Sequence, residues 1–439
     1  MEPYGIALIG CGTVGSGVAK LLLEQPERLA TRAGRPIVLK RVVVRDRDKP
    51  RDVQIPENLI TTDLKTVIND PSIQCAVEVV GGVDWAKKAV LDLLAAGKDV
   101  VTANKALLAT SGAEIFDAGR RHGKAIAFEA SVAGGIPIIS ALMQGLAANQ
   151  ILSIQGILNG TCNFILTAMS DQGRPYKEVL AEAQARGYAE ADPTLDVNGT
   201  DAAHKLAVLA QLAFGVSVPL SKIPCRGIDQ VDSADIRYAH ELGYTIKLLA
   251  EAWFQPAPNS PADGELALHV SPVMLRNNSP LALVRDAFNA IFIVGDAVGS
   301  TLYYGRGAGQ MPTASAVVAD IIDMAVGRAQ QTFRSLKLWS REGTHITMKP
   351  LAKVPSRFYL RLMVEDVPGV LAEITRILAN HEISISSVIQ HEAIAGEKNI
   401  VPLIIMTHTA PTGNFTATIA EFDRLKCVVG KSVYYPVGD

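Results

Sequence analysis

The sequence predicts an α/β fold in three parts: a doubly wound parallel sheet over residues 1–130, an α+β domain over 131–304, and a small ferredoxin-like βαββαβ module over 357–439. Three observations carry this. Short apolar runs alternate with amphipathic stretches through the first 130 residues, the pattern of parallel βαβ units covered on both faces. From residue 131 the texture changes to glycine- and proline-interrupted turns between mixed strands and helices. The last part reads strand, helix, two strands, helix, strand.

Taken in order, residues 6–9 form a first apolar strand, followed by a glycine-rich turn and a helix through Val18, Leu21 and Leu22. Residues 37–44, dense in β-branched side chains, are the second strand. Residues 75–80, 99–102 and 125–128 supply more, and 84–96 form an amphipathic helix closing at Gly97. Residues 131–137 are a tight connection, with a helix from Ile138. The second domain has strands expected at 151–158, 266–272 and 290–298, and helices at 178–186 and 201–214. Residues 256–264 (PAPNSPADG) read as an exposed turn. Residues 313–329 are helical, and 305–330 are expected to complete the first domain. Residues 331–356, with scattered charges, Gly343 and two prolines, read as a linker. Strands at 358–364, 383–390, 400–408 and 428–435, with helices at 369–379 and 416–425, make the final module.

Composition narrows the function. The 439 residues carry 42 basic and 44 acidic groups, so no basic excess argues for nucleic acid and no acidic excess for a solvating tail. No apolar run is long enough to span a membrane. The N-terminus lacks the pattern of a signal peptide, and the five cysteines are scattered without a CxxC pair. Both point to a cytoplasmic, reducing setting. The expected ligands are small molecules, with no nucleic-acid or membrane partner.

Gly10-Cys11-Gly12-Thr13-Val14-Gly15 fits G-x-G-x-x-G between the first strand and helix. Gly10 permits the tight turn, Gly12 lets a pyrophosphate approach the backbone, and Gly15 lets helix and strand pack closely. The helix start, at Thr13 and Val14, then offers unpaired N–H groups to the phosphates. This is a Rossmann-type dinucleotide site. At the end of the second strand, Arg45 stands where an NAD site usually carries a carboxylate, with Arg47 and Lys49 nearby. Arg45 suits a ribose 2′-phosphate and favours NADP(H). Asp46 suits a 2′-hydroxyl, so NAD(H) stays open.

The densest chemistry lies at 185–205. Glu190, Asp192, Asp196 and Asp201 fall within twelve residues, interrupted by Pro193 and Gly199. Asp201 opens a helix and Lys205 follows four residues on, over the same face. The apolar neighbours Ala202, Ala203, Leu206, Ala207 and Leu209 draw this lysine toward a partly buried setting, where an ammonium can exchange protons. The surrounding carboxylates suit a substrate ammonium. Lys105 follows the strand 99–102 at the carboxyl end, where α/β sheets place ligands. Residues 305–309 (GRGAG) make another anion-friendly helix entrance. His204 reads as packed beside the lysine, and no histidine or cysteine spacing suits zinc.

This stretch resembles the signature of homoserine dehydrogenases, and so do the glycine turn, Thr102-Ala103-Asn104-Lys105 and Asn159-Gly160-Thr161-Cys162-Asn163. The resemblance runs from about residue 4 to 330 and implies reversible hydride transfer between a nicotinamide and C4 of L-homoserine or L-aspartate 4-semialdehyde. It implies Lys205 as proton donor and acceptor, Asp201 as the partner that positions it, and Lys105 as a second lysine near substrate and nicotinamide. Glu190 and Asp196 match residues around the amino acid, and Gly187 and Gly309 match positions near the cofactor. From residues alone, Asn159-Gly160-Thr161 equally reads as a turn with a threonine cap. The irregular backbone at 129–137 can point carbonyl oxygens inward. In the family the segment matching Glu129, Val132, Gly134 and Ile136 holds a monovalent cation, sodium. Because the pattern starts at residue 4, a monofunctional enzyme is expected. A different amino-acid dehydrogenase would not account for the 190–205 spacing, and a non-catalytic sensor would not keep both Asp201 and Lys205.

Residues 360–374 resemble the opening of an ACT domain, with Asp366-Val367-Pro368-Gly369 turning from strand into helix. Such modules pair and bind amino acids, which implies threonine feedback and a homodimer or homotetramer.

Overall fold

The computed structural model describes residues 2–340, 345–390 and 399–438. Six parallel strands, β1 (Tyr4–Ile9), β2 (Ile37–Val43), β3 (Ile60–Thr61), β4 (Cys75–Glu78), β5 (Asp99–Thr102) and β6 (Ile126–Ala127), lie in the order β3-β2-β1-β4-β5-β6. All of β1 is buried, which explains its unbroken apolar run. The winding direction reverses between β1 and β4, the switch point at whose carboxyl ends open α/β sheets bind ligands. The helix Gln310–Val326 returns from the far end of the second domain to pack on the first helix, Thr13–Glu24. At that crossing a Cβ on Gly17 would lie 2.9 Å from the Ala314 Cβ.

The second sheet has eleven strands: β7 (Ile151–Ile157), β8 (Tyr244–Ala257), β9 (Ser260–Arg276), β10 (Phe288–Gly295), β11 (Gly299–Arg306), β12 (Ile346–Met348), β13 (Pro355–Glu365), β14 (Ile385–Gln390), β15 (Ile400–Thr407), β16 (Ala410–Pro411) and β17 (Val433–Gly438). Its path is β11-β10-β7-β8-β9-β17-β13-β15-β14, with β12 on β9 and β16 on β13. Strands β11 to β9 belong to the second domain and β17 to β14 to the C-terminal module. The seam is a parallel pairing, Val437 opposite Met274 and Gly438 opposite Leu275.

Three stretches differ from the sequence expectation. Residues 256–264 are the distal end of a long hairpin, with β8 running to Ala257 and β9 starting at Ser260. The prolines and Gly264 mask a ladder whose buried residues, Ile246, Leu248 and Ala250, lie further in. The helix from Ile138 is only Ile138–Ser140 plus the wide turn Ala141–Gly145. The start of the expected linker is instead core. The helix Arg328–Leu336 buries Phe333, and Trp339 packs 4.3 Å from Phe116 and 5.5 Å from Phe128 between ring centroids. Gly112 leaves room for that indole. Gly343 lies outside the described residues.

The module is docked by a polar node as well as by the seam. Asp235, on the helix Ser233–Glu241, is fully buried and accepts both ends of the Arg361 guanidinium at 2.6 and 2.8 Å. The Tyr359 and Tyr435 hydroxyls donate to the same carboxylate at 2.9 and 3.4 Å. Burial, reinforced by the Asp235 charge, pushes both phenols well above their ordinary range. Removing one member of a buried pair strands the other, at about 3–5 kcal/mol. Asp235→Ala should therefore release the module early in a urea titration followed by proteolysis of the tail. Asp235→Asn, which keeps an acceptor, should cost less. A wild-type midpoint for the alanine variant would show that the node contributes nothing.

Candidate active site

The glycine turn has the form that phosphate binding requires. Gly10 sits at φ +98°, and a Cβ there would meet Val79 and Val80 at 2.8–3.0 Å, while its N–H donates to Val43 O at 2.9 Å. A Cβ on Gly15 would fall 2.3 Å from Gly10 O, so only glycine lets the helix come this close. Above Gly12 the space is open, with nothing within 4 Å of where a Cβ would stand. The helix begins at Thr13 and Val14 with no side-chain cap and no acidic residue in its first turn, leaving its N–H groups for an anion. This cradle fits a dinucleotide. Arg45 emerges beyond the end of β2, exposed and without a hydrogen-bond partner among the described residues. The Asp46 carboxylate is turned back onto its own loop, accepting Asp48 N at 2.9 Å. Gly309 starts the helix Gln310–Val326 at φ +123°, also without a side-chain cap.

Lys105 is set by a relay from the sheet. The Thr102 hydroxyl donates to the buried Glu78 at 2.6 Å and accepts Asn104 N at 3.0 Å. Asn104 caps the helix Lys105–His122 by accepting Leu107 N at 3.1 Å, and it donates to Gly82 O at 2.7 Å. Burial raises the Glu78 carboxyl against these hydrogen bonds. Lys105 is thus the first residue of a capped helix, and its Nζ lies 3.0 Å from Asp201 Oδ1.

Asp201 is the centre. Gly199, at φ +86°, precedes the helix Thr200–Phe214 in a left-handed conformation that favours glycine. From the first turn of that helix the Asp201 carboxylate meets Lys105 on one oxygen and Lys205 on the other, the latter at 2.7 Å. Lys205 Nζ also donates to Leu158 O at 2.6 Å, and its side chain is 12% exposed. Burial opposes ionisation of Asp201, but the two ammonium groups and the Asn159 amide outweigh it and hold the carboxyl well below the usual range. Asn159 Nδ2 bridges Asp196 Oδ1 at 2.8 Å and Asp201 Oδ2 at 2.9 Å. Burial, with the neighbouring Asp201 charge, raises Asp196. His204 is half-buried beside the group, and its burial lowers it.

The structure therefore brings Lys105, Asp196, Asp201 and Lys205 together. Glu190 and Gly187 lie on the exposed loop before them. Glu190 accepts from Gln184 through its backbone oxygen, and its carboxylate has no partner among the described residues. Sequence reasoning missed Glu78 and the Leu158 carbonyl, which show no local pattern. It also gave too little weight to Asn159. Asn159 caps the helix Gly160–Gln172 by accepting Cys162 N at 2.8 Å, whereas Thr161 donates to Tyr188 O. An asparagine just before a helix was the available signal.

The segment with Glu129, Val132, Gly134 and Ile136 lies against the start of the helix Gln310–Val326, where a Cβ on Gly134 would touch Thr313. Glu129 accepts Ile139 N at 2.9 Å and Ser140 N at 2.8 Å, and its own N–H donates to Asp320 at 2.9 Å. Burial raises both carboxyls. Among the described residues no basic side chain pairs with either, and two buried carboxyls beside irregular backbone are the observation on which a hard cation fits.

Family models for the NAD-binding domain of homoserine dehydrogenase, for homoserine dehydrogenase itself and for the ACT domain match residues 10–129, 137–322 and 358–425. The homoserine dehydrogenase of Pseudomonas aeruginosa is 42% identical over 436 residues, covering 99% of this chain and 98% of that protein. A solved homoserine dehydrogenase from Thiobacillus denitrificans is 42% identical with a TM-score of 0.88, covering 100% of this chain and 99% of its own. A hyperthermophilic archaeal homoserine dehydrogenase, solved in complex with NADPH, is 25% identical with a TM-score of 0.60 over 74% of this chain and 98% of its own. The glycine cradle, the paired lysines and the match along the whole chain agree: the protein belongs to the homoserine dehydrogenases, a family of oxidoreductases.

Proposed function

We propose that the protein interconverts L-aspartate 4-semialdehyde and L-homoserine in the biosynthesis of threonine, methionine and isoleucine, with Lys205 as the proton donor and acceptor. The observation that carries this is the buried Asp201 carboxylate held between Lys105 and Lys205. A nicotinamide dinucleotide held at the Gly10–Gly15 turn would supply the hydride chemistry at C4. The chain's own groups manage the charge. Reduction of the aldehyde builds negative charge on its oxygen, and the Lys205 ammonium, aimed by Leu158 O and Asp201, neutralises and then protonates it. In the reverse direction Lys205 takes that proton. Lys105 carries a second positive charge from the nucleotide side. Asp196, with Glu190 on the loop before it, receives the substrate ammonium.

Arg45 supports NADP(H) over NAD(H), since its partner-free guanidinium suits a 2′-phosphate while Asp46 is occupied by its own loop. Gly187 and Gly309 line the cofactor side. A sodium-like cation at Glu129, Val132, Gly134 and Ile136 serves structure. The Asp366–Gly369 turn borders a cleft of about 350 Å³ with Gln390 and Leu403, which we assign to threonine as feedback effector. Exposed Leu302 and Tyr304 on β11 suit a homodimer or homotetramer. The free cysteines accord with a cytoplasmic enzyme, and among the described residues no helix is long and apolar enough to cross a membrane.

Three outcomes follow in steady-state assays of NADPH oxidation with aspartate 4-semialdehyde. Lys205→Ala should lower kcat by about 10²–10⁴-fold with little change in nucleotide KM, and no wild-type turnover with either nicotinamide would overturn the activity. Arg45→Ala should raise KM for NADPH about tenfold, the loss of one charged hydrogen bond, and leave NADH unaffected. Equal effects on both cofactors would remove the 2′-phosphate role. Threonine should inhibit the wild type and lose its effect in Asp366→Ala, whereas unchanged rates at millimolar threonine would leave the module without that effector.

A further inference from the structure

The turn that carries Asp196 is gripped from two sides. On one side Asn159 holds the Asp196 carboxylate, and the Cys162 thiol donates to Asp196 O at 3.2 Å. On the other, residues 224–228 form a ledge beneath it. Ile228 N donates to Val197 O at 2.8 Å and the Cys225 thiol to Asn198 O at 3.3 Å. Gly227 lies so close that a Cβ would fall 1.9 Å from Val197 O. The ledge is pinned to β9 by Arg226 N to Val270 O at 2.8 Å and Val270 N to Pro224 O at 2.9 Å.

The side chain of Arg226 ties this ledge to the C-terminal module. Its Nη1 donates to Tyr434 O at 2.8 Å, and its guanidinium stacks on the Tyr434 and Tyr435 rings at 4.9 and 5.0 Å from their centroids. Both tyrosines belong to β17, the strand that forms the seam, and the Tyr435 hydroxyl reaches the buried Asp235. An unbroken series of contacts thus runs from β17 through Arg226 and residues 225–228 to the turn at 196–199.

We propose that Arg226 is a positioning residue for the substrate pocket: clasped by the last strand of the module, it sets the height of the ledge and so the placement of Asp196 against Asn159. One asparagine amide serves both Asp196 and Asp201, so a small drop of the turn breaks a bond at 2.8 Å and leaves Asp201 and the lysines in place. The effect falls on binding of the amino-acid substrate, and cofactor binding is spared. A site misplaced by about 1 Å loses much of its power. The C-terminal module is by this reasoning a strut of the pocket even when no effector is bound. The inference rests on the reading of Asp196, Asp201 and Lys205 as the substrate site.

The test is a KM and kcat comparison in the full-length protein, with substrate and nicotinamide varied separately. Arg226→Ala should raise KM for the amino-acid substrate about tenfold and leave nicotinamide KM nearly unchanged. Arg226→Lys, which keeps a cation and a donor for Tyr434 O, should recover most of the loss. Gly227→Ala pushes on Val197 O without touching β17 and should give the same substrate-selective defect. If Arg226→Ala does not fold, Arg226→Lys and Tyr434→Leu carry the test, each with a smaller rise in the same constant. An unchanged substrate KM, or a parallel rise in both constants, overturns the proposal. An inactive wild type overturns the activity itself, whereas an active wild type with an indifferent Arg226→Ala overturns only the role of Arg226.

Discussion

The buried carboxylate of Asp201 is the constraint around which this molecule is arranged. A charged group with so little solvent is tolerable only when opposite charge and hydrogen bonds surround it. Here those partners come from three places: Lys105 from the nucleotide domain, Lys205 from the next turn of the same helix, and Asn159 from the end of β7. The ion pair with Lys105 spans the two domains. The carboxyl end of β5 and the start of the Thr200 helix are joined by that pair, since withdrawing Lys105 leaves Asp201 with one ammonium partner instead of two.

That arrangement explains why small polar residues recur at the edges of the site. Asn104 and Asn159 each cap a helix and use the remaining amide to fix a second element. Thr102 does the same between Glu78 and Asn104. Each is a short side chain with few rotamers, so it positions its neighbour at low entropic cost. The lysines, which are long and flexible, are located by what they touch.

Much of this was legible in the sequence. The parallel sheet was visible because its strands, buried on both faces, read as apolar runs between glycine-punctuated helices. The glycine turn and the Asp201–Lys205 spacing were visible because helix geometry converts four residues into one face. Of the longest hairpin, the middle of β9 was expected as the strand 266–272, but β8 and the tip were hidden. Its tip carries the prolines that mark a loop, and β8 is buried on both faces along much of its length, so it shows no period of two. The contribution of Arg226 was invisible for a different reason: its partners lie more than two hundred residues away, and one is a backbone carbonyl. Asp235, joined to Arg361 across 126 residues, is the same case.

These long-range partners also limit how far the module can move relative to the second domain. β17 is hydrogen-bonded to β9 in one continuous sheet, and Asp235 locks β13 and β17 to the helix beneath them. A swing of the module as a rigid body would break main-chain bonds and unpair a buried guanidinium together, at a cost larger than effector binding commonly supplies. The Arg226 side chain rests on the rings and one carbonyl of β17, which links that strand to the turn at 196–199 through residues 225–228. If the module signals to the pocket as proposed, the contacts that carry it are those of the ledge at 224–228.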